Sequence, residues 1–232
     1  MEYIGIFDSG VGGLSILEKL LEVLPKENYL YYKDSKNCPY GNKTDEELLK
    51  ITMDITTYLE KRKVKLIVIA CNTATTKCIK KLRNKFPNII FVGTEPAIKV
   101  ACDRKHKNVL VLATPVTIKS ESVDKLIKNN KNNRQNIYLA PCDGLARAIE
   151  DNDEIKIKSL LKDILKEYKN KKIDSIVLGC THYSFVKEEI LKEMPNVELI
   201  DGSLGVARQV KRKLKEVNKL NENGGSIEIK NS

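Results

Sequence analysis

The sequence contains no tryptophan, only four phenylalanines and two histidines, and no long uninterrupted apolar run. Each scarcity removes a class of protein. Crossing a bilayer takes roughly 20 consecutive apolar residues, and the first strand-like stretch, Tyr3 to Phe7, is too short for the apolar region of a signal peptide. A soluble cytoplasmic protein with no membrane partner is therefore expected. The histidines are His106 and His182, and the six cysteines (Cys38, Cys71, Cys78, Cys102, Cys142 and Cys180) include no CxxC pair. No structural metal site is expected from such a set. Without an export signal the same six read as reduced thiols rather than as a disulfide framework. No stretch rich in Pro, Gly or Ser divides the chain, which argues against a long flexible linker.

The formal net charge is +10, and a basic face attracts phosphates. Here, however, the positive charge is mostly lysine set among acids, as in Asp45 to Lys50, Lys158 to Lys172 and Lys187 to Glu193. Arginines are few and no segment interleaves basic with aromatic residues. This is the pattern of a solvated lysine-rich surface, and no nucleic-acid partner is expected.

What the sequence does contain is repetition. A chain of 232 residues with 41% hydrophobic content suits one large domain or two of about 100 residues. Short Ile- and Val-rich runs alternate with amphipathic stretches, the pattern of a parallel sheet flanked by helices. Strands are predicted at residues 3–7, 29–33, 65–70, 89–93, 108–113, 137–140, 174–179 and 197–200. They fall into two sets of four. Lys63 to Cys71 (KVKLIVIAC) aligns without a gap on Lys172 to Cys180 (KIDSIVLGC), an offset of 109 residues. The second strand of each set runs into an aspartate, Asp34 and Asp143, and the fourth strands match at a similar offset. An internal duplication of the chain accounts for this.

The predicted fold class is α/β: two similar parallel-sheet domains related by a pseudo-twofold duplication, with the active site in the cleft between them. Open parallel sheets bind ligands beyond the carboxyl ends of their strands, where both Cys71 and Cys180 fall. The crossover between halves is expected near Thr94 to Ala97. Leu204 to Leu220 reads as a basic helix that packs back onto the first half, and the polar, Gly-containing tail from Asn221 reads as loose.

Chemistry-bearing residues gather at these strand ends. After the first strand comes Asp8-Ser9-Gly10-Val11-Gly12-Gly13, a glycine-rich turn into a helix. Its spacing is neither GxGxxG nor GxxxxGK[ST], and Asp8 would repel a phosphate. An acid there suits an ammonium group or the tuning of a neighbouring base. Cys71 is followed by Asn72, Thr73 and Thr75 at the start of a helix, whose positive end favours thiolate. The mirrored run is Gly179-Cys180-Thr181-His182-Tyr183, with His182 close enough to act on the thiol. A buried cysteine acting as a small hydrophobe is the bland alternative. A Cys/His hydrolase is the chemical one, although it needs a single nucleophile and the chain offers two equivalent thiols. Two symmetric thiols suit inversion of a stereocentre, in which one group removes a proton from one face and another returns a proton to the opposite face. The weak acidity of such a proton demands fixed dipoles around the carbanionic transition state, and no Schiff-base motif calls for pyridoxal phosphate.

The runs Ile4 to Leu14, Pro39-Tyr40-Gly41, Ala70-Cys71-Asn72-Thr73, Glu95-Pro96-Ala97, Ala113 to Thr117 and Leu178 to Tyr183 together resemble the glutamate racemases of the wider aspartate/glutamate racemase superfamily. The resemblance implies a cofactor-independent enzyme that interconverts L- and D-glutamate, supplies D-glutamate for peptidoglycan, and works as a homodimer. It implies catalytic roles for Cys71 with Asp8, and for Cys180 with His182 and Glu150. It implies substrate contacts from Ser9, Tyr40, Gly41, Asn72, Thr73, Thr114, Thr117 and Thr181. Its domain pattern implies a first domain of residues 1–94 completed by 201–232, and a second of 95–200. The chain departs at Asn37, where a basic residue is common, at Lys33, where glycine is usual, and at Ser184, where proline is usual. An aspartate or broad-specificity racemase, and a basic binding protein on the same scaffold, stand as alternatives.

Overall fold

The computed structural model describes residues 2–232. The chain runs β1 (Tyr3–Asp8), α1 (Leu14–Val23), β2 (Asn28–Lys33), α2 (Asp45–Lys61), β3 (Val64–Ile69), α3 (Asn72–Lys85) and β4 (Phe91–Gly93). It continues through α4 (Ile98–Asp103), β5 (Asn108–Ala113), α5 (Pro115–Ile118), α6 (Glu121–Asn130) and β6 (Asn136–Pro141). Then follow α7 (Leu145–Glu150), α8 (Glu154–Lys166), β7 (Ser175–Leu178), α9 (Lys187–Glu193), β8 (Glu198–Ile200), α10 (Ser203–Glu216) and β9 (Ser226–Asn231). Two compact units result, one of residues up to Thr94 together with Ser203–Ser232, the other of Glu95–Gly202. Among the described residues, no helix is long and apolar enough to cross a membrane.

The first unit holds a sheet ordered β4-β3-β1-β2-β9, and the second a sheet ordered β6-β5-β7-β8, with every pairing parallel. Read from the opposite edge, the second order matches the first four strands of the other. Both faces of each sheet are covered, which is why the strands read as continuous apolar runs. In β3, Leu66 and Val68 join the cluster under α1 and α10, while Ile67 and Ile69 join Leu48, Ile55, Leu59 and Leu82 beneath α2 and α3. In β5, Leu110 and Leu112 meet Ile157, Leu161 and Leu165 of α8, while Val109 and Val111 face Ile98, Ala101 and Val123. Burying each such side chain contributes about 1.5–3 kcal/mol.

The carboxyl-terminal stretch corrects the expectation of a loose tail. α10 stops at Glu216, short of Leu220, and the chain turns through Gly224 and Gly225, with φ of 145° and 119°. Side chains rarely adopt such backbone angles, and an added Cβ would come within 3.0 Å of backbone oxygens of Lys26 and Pro25. β9 then pairs with β2 from Ser226 to Asn231. A short alternation of Ile227 and Ile229 with polar neighbours is enough because distant partners hold it. Arg62 donates to both carboxylate oxygens of Glu228, at 2.9 and 2.7 Å. Below the sheet, Lys65 Nζ lies 2.6 Å from Glu27 Oε2 with both side chains fully buried, and it donates to Lys219 O at 2.6 Å and Asn221 Oδ1 at 3.0 Å.

That buried pair generates a stability prediction. Glu27→Ala leaves the Lys65 ammonium buried without its counter-charge and should cost about 3–5 kcal/mol. Replacing both, as Glu27→Leu with Lys65→Met, should cost less than the single change. Urea unfolding monitored by circular dichroism measures both. Equal losses would mean that the charge pair is not what the segment rests on.

Candidate active site

Asp8 closes β1 and is fully buried. Its Oδ2 accepts from Gly13 N at 2.7 Å, at the start of α1, so the carboxylate sits at the positive end of that helix. Gly13 is obligatory for this approach, since a Cβ there would meet Tyr31 Oη at 2.8 Å and Asp8 Cβ at 2.9 Å. Tyr31 Oη in turn donates to Gly10 O at 2.9 Å and pins the glycine turn, and Ser9 is buried beside it.

Cys71 follows β3 in extended conformation, φ −139° and ψ 121°, and caps α3. Its carbonyl accepts the first helical bond, from Thr75 N at 2.9 Å. Asn72 and Thr73 are buried behind it, and Asn72 Oδ1 has no hydrogen-bond partner among the described residues. A buried amide oxygen left so costs about 1–3 kcal/mol, which a donor would recover. Tyr40 lies in the loop before α2, where Thr44 and Glu47 form a reciprocal capping box at 3.2 and 2.9 Å. Tyr40 Oη donates to Asp34 Oδ2 at 2.8 Å, and Asn37 Nδ2 donates to both Asp34 oxygens at 2.9 Å. Burial first, and then the Asp34 charge, push the Tyr40 phenol well above its usual value, with smaller contributions from Cys71 and Asp8. Gly41 is half-buried with open space where a Cβ would stand, so nothing steric demands glycine there.

In the second unit, Cys180 caps a 3-10 turn at Thr181–Val186 with the same extended backbone, φ −140° and ψ 136°. Its Sγ lies 3.9 Å from His182 Nδ1, and His182 Nε2 lies 2.9 Å from Glu150 Oε2 at the end of α7. His182 is buried and Glu150 is 12% exposed. A carboxylate against Nε2 favours the tautomer protonated there, and in that tautomer Nδ1 faces the sulfur as an acceptor. Gly179 N donates to Leu112 O at 2.7 Å, and a Cβ on Gly179 would come within 2.9 Å of that same oxygen. Thr114 and Thr117 lie together after β5, with Thr114 Oγ1 donating to Thr117 Oγ1 at 3.0 Å, and Thr181 is buried next to Cys180.

Sheet register shows the two thiols to be equivalent. Phe7 pairs with Ile69 and Leu112 with Leu178, while Ala70 N donates to Phe7 O as Gly179 N does to Leu112 O. Cys71 and Cys180 each come next. The pairing of Asp34 with Asp143 does not survive the same comparison. Asp34 N donates to Asp8 O and Cys142 N to Ala113 O, so Cys142 occupies the Asp34 position and Asp143 is exposed. The register also sets Ala113 where the first unit has Asp8. The second unit therefore takes its ionisable partners from the turn after Cys180 and from α7. Two groups of interest were not singled out from sequence: Asp34 as the holder of Tyr40, and Tyr183, fully buried, whose hydroxyl donates to Cys142 O at 3.3 Å.

A family model described as Asp/Glu/Hydantoin racemase matches residues 4–210. The chain is 43% identical over 235 residues to a glutamate racemase of Clostridium botulinum, covering 99% of this chain and 91% of that protein. Among solved structures it is similar to the Escherichia coli glutamate racemase in complex with L-glutamate and the activator UDP-MurNAc-ala. There the identity is 32% and the TM-score 0.84, over 97% of this chain and 86% of that one. It is also similar to the Francisella tularensis glutamate racemase in complex with D-glutamate, at 31% identity and a TM-score of 0.83, over 99% and 87%.

Burial governs the chemistry of Cys142. The Cys142 thiol is pushed up to about 12, chiefly by burial. At pH 8 its thiolate fraction is then about one part in ten thousand, and thiolate is the form that alkylates. Brief iodoacetamide treatment of the native protein should leave Cys142 unmodified by mass spectrometry, while denaturant should expose it. Rapid native labelling of Cys142 would contradict its placement.

Proposed function

Because the chain belongs to the Asp/Glu/Hydantoin racemase family, we propose that it interconverts L- and D-glutamate by proton transfer to and from two cysteines, Cys71 and Cys180. The observation that carries this reading is the equivalent register position of the two thiols in two copies of one sheet. A reaction whose forward and reverse directions are mirror images needs two acid/base groups of the same kind, one for each face of the α-carbon. The glutamate-bound relatives support the choice of substrate.

In this mechanism the thiolate of Cys180 takes the α-proton of L-glutamate, and the thiol of Cys71 gives its proton to the opposite face, yielding D-glutamate. The reverse reaction exchanges the roles. Asp8 serves Cys71. The His182–Glu150 pair serves Cys180, with Nδ1 accepting the thiol proton as thiolate forms and the carboxylate stabilising the resulting imidazolium. The buried Asn72 Oδ1 is suited to accept from the substrate ammonium. Ser9, Tyr40, Gly41, Thr73, Thr114, Thr117 and Thr181 supply the remaining contacts through hydroxyl and backbone groups, and the amino end of α3 adds a fixed positive dipole for the negative charge that develops on the substrate. The protein in this reading needs no cofactor, works in the cytoplasm as a homodimer, and supplies D-glutamate for peptidoglycan.

Incubation with L-glutamate in deuterated water should yield D-glutamate carrying α-deuterium, without added cofactor, and L-aspartate run in parallel should turn over more slowly. Failure with both acids would refute the reading, and faster aspartate turnover would reassign the substrate. Cys71→Ala and Cys180→Ala should each abolish racemisation, and substantial turnover by either would remove that thiol from the mechanism. Glu150→Gln, which keeps the shape but not the charge behind His182, should lower kcat about tenfold to a hundredfold. An unchanged kcat would take Glu150 out of the proton path.

A further inference from the structure

β9 lies along the free edge of β2 and reaches the loop that carries Tyr40. Its register with β2 runs without a break from Asn28↔Ser226 to Lys33↔Asn231. Beyond that pair, Ser232 N donates to Lys33 O at 3.0 Å, and Lys36 N donates to Ser232 Oγ at 3.1 Å. These two bonds bracket Asp34. Asp34 is itself buried, is tied to the end of β1 through its N–H to Asp8 O at 2.9 Å, and holds Tyr40 and Asn37 through its carboxylate. A path therefore leads from β9 to Tyr40, through the two Ser232 bonds, the short stretch of chain from Lys33 to Lys36 that they flank, and the Asp34 carboxylate.

From this geometry we propose that Ser232 is a positioning residue for the substrate loop: by clamping Lys33 and Lys36 on either side of Asp34, it fixes the carboxylate that orients Tyr40 and hence Gly41. The inference rests on the reading of Tyr40 and Gly41 as substrate contacts. Its physical basis is that Lys36 is exposed and Asn37 only partly buried, so little packing restrains the stretch between the buried Asp34 and the 3-10 turn at Tyr40–Asn42. Where packing is slight, directional bonds to a paired strand set the loop's position. β9 is anchored independently of them, by Glu228 on Arg62 and by the Lys65 clasp on Lys219 and Asn221. Losing the Ser232 bonds should therefore free the loop without releasing the strand.

Ser232→Pro is the direct probe. It removes the N–H and the hydroxyl together at a residue beyond the last paired position, Lys33↔Asn231, so the β9–β2 register does not depend on it. The expected result is a KM for glutamate raised about fivefold, the worth of a typical hydrogen bond, with kcat changed less than about twofold. Amide exchange should accelerate over residues 34–41 and remain unchanged in β9. Ser232→Thr, which keeps both groups, should behave as wild type. An unchanged KM, a fall in kcat alone, or faster exchange spread across the whole first unit would overturn the proposal. Wild-type protein inactive on both enantiomers would instead overturn the racemase reading, so the two failures are distinguishable.

Discussion

The position of a side chain at the carboxyl end of a buried parallel strand is set by the ladder on both sides of it. Ala70 N bonded to Phe7 O, and Gly179 N bonded to Leu112 O, leave Cys71 and Cys180 the next residue in each unit, both extended and both capping a helical turn. A slip of one residue in β3 or β7 would turn each thiol to the other face of its sheet and carry the apolar residues with it. The cores therefore defend the thiols. Leu66 and Val68 on one face and Ile67 and Ile69 on the other must all be displaced before Cys71 can move.

Within that shared frame the two units carry different ionisable groups at their strand ends. The first supplies a strand-end carboxylate, Asp8, locked by a backbone N–H at the start of α1. In the second the register partner is Ala113, and the ionisable group near the thiol is an imidazole two residues beyond it, paired with a glutamate from a separate helix. A similar exchange occurs one strand away, where Asp34 gives place to Cys142 and the buried tyrosine comes from Tyr40 in one unit and Tyr183 in the other. The scaffold repeats while the ionisable groups do not. In the mechanism proposed above, a mirror-image reaction would need equivalent acid/base atoms but not equivalent neighbours for them.

Most of the scaffold was legible because a doubly covered parallel strand needs continuous apolar sequence, and eight such runs stand out. The thiol equivalence was legible for the same reason, since Lys63 to Cys71 and Lys172 to Cys180 align without a gap. β9 was not: two isoleucines in a polar stretch carry too little apolar surface, and the partners that hold them, Arg62 and Lys65, lie more than 150 residues away in sequence. The hold of Asp34 on Tyr40 was equally hidden, because it depends on how the intervening loop closes rather than on any periodicity. Asp143 misled through proximity in sequence to Cys142, the residue that occupies the ladder position. Glu150 could be singled out only through family resemblance, since a glutamate at the end of a short helix looks like any solvated acid until His182 is set beside it.

The claim that Cys71 and Cys180 each serve one enantiomer is tested most directly by isotope effects in serine variants. A serine hydroxyl is a far poorer base than a thiolate, so abstraction on the altered side becomes rate-limiting. With α-deuterated substrates, Cys71→Ser should show an enlarged primary isotope effect for D-glutamate and not for L-glutamate, and Cys180→Ser the reverse. Equal isotope effects on both enantiomers in either variant would contradict the assignment of one sulfur to each face.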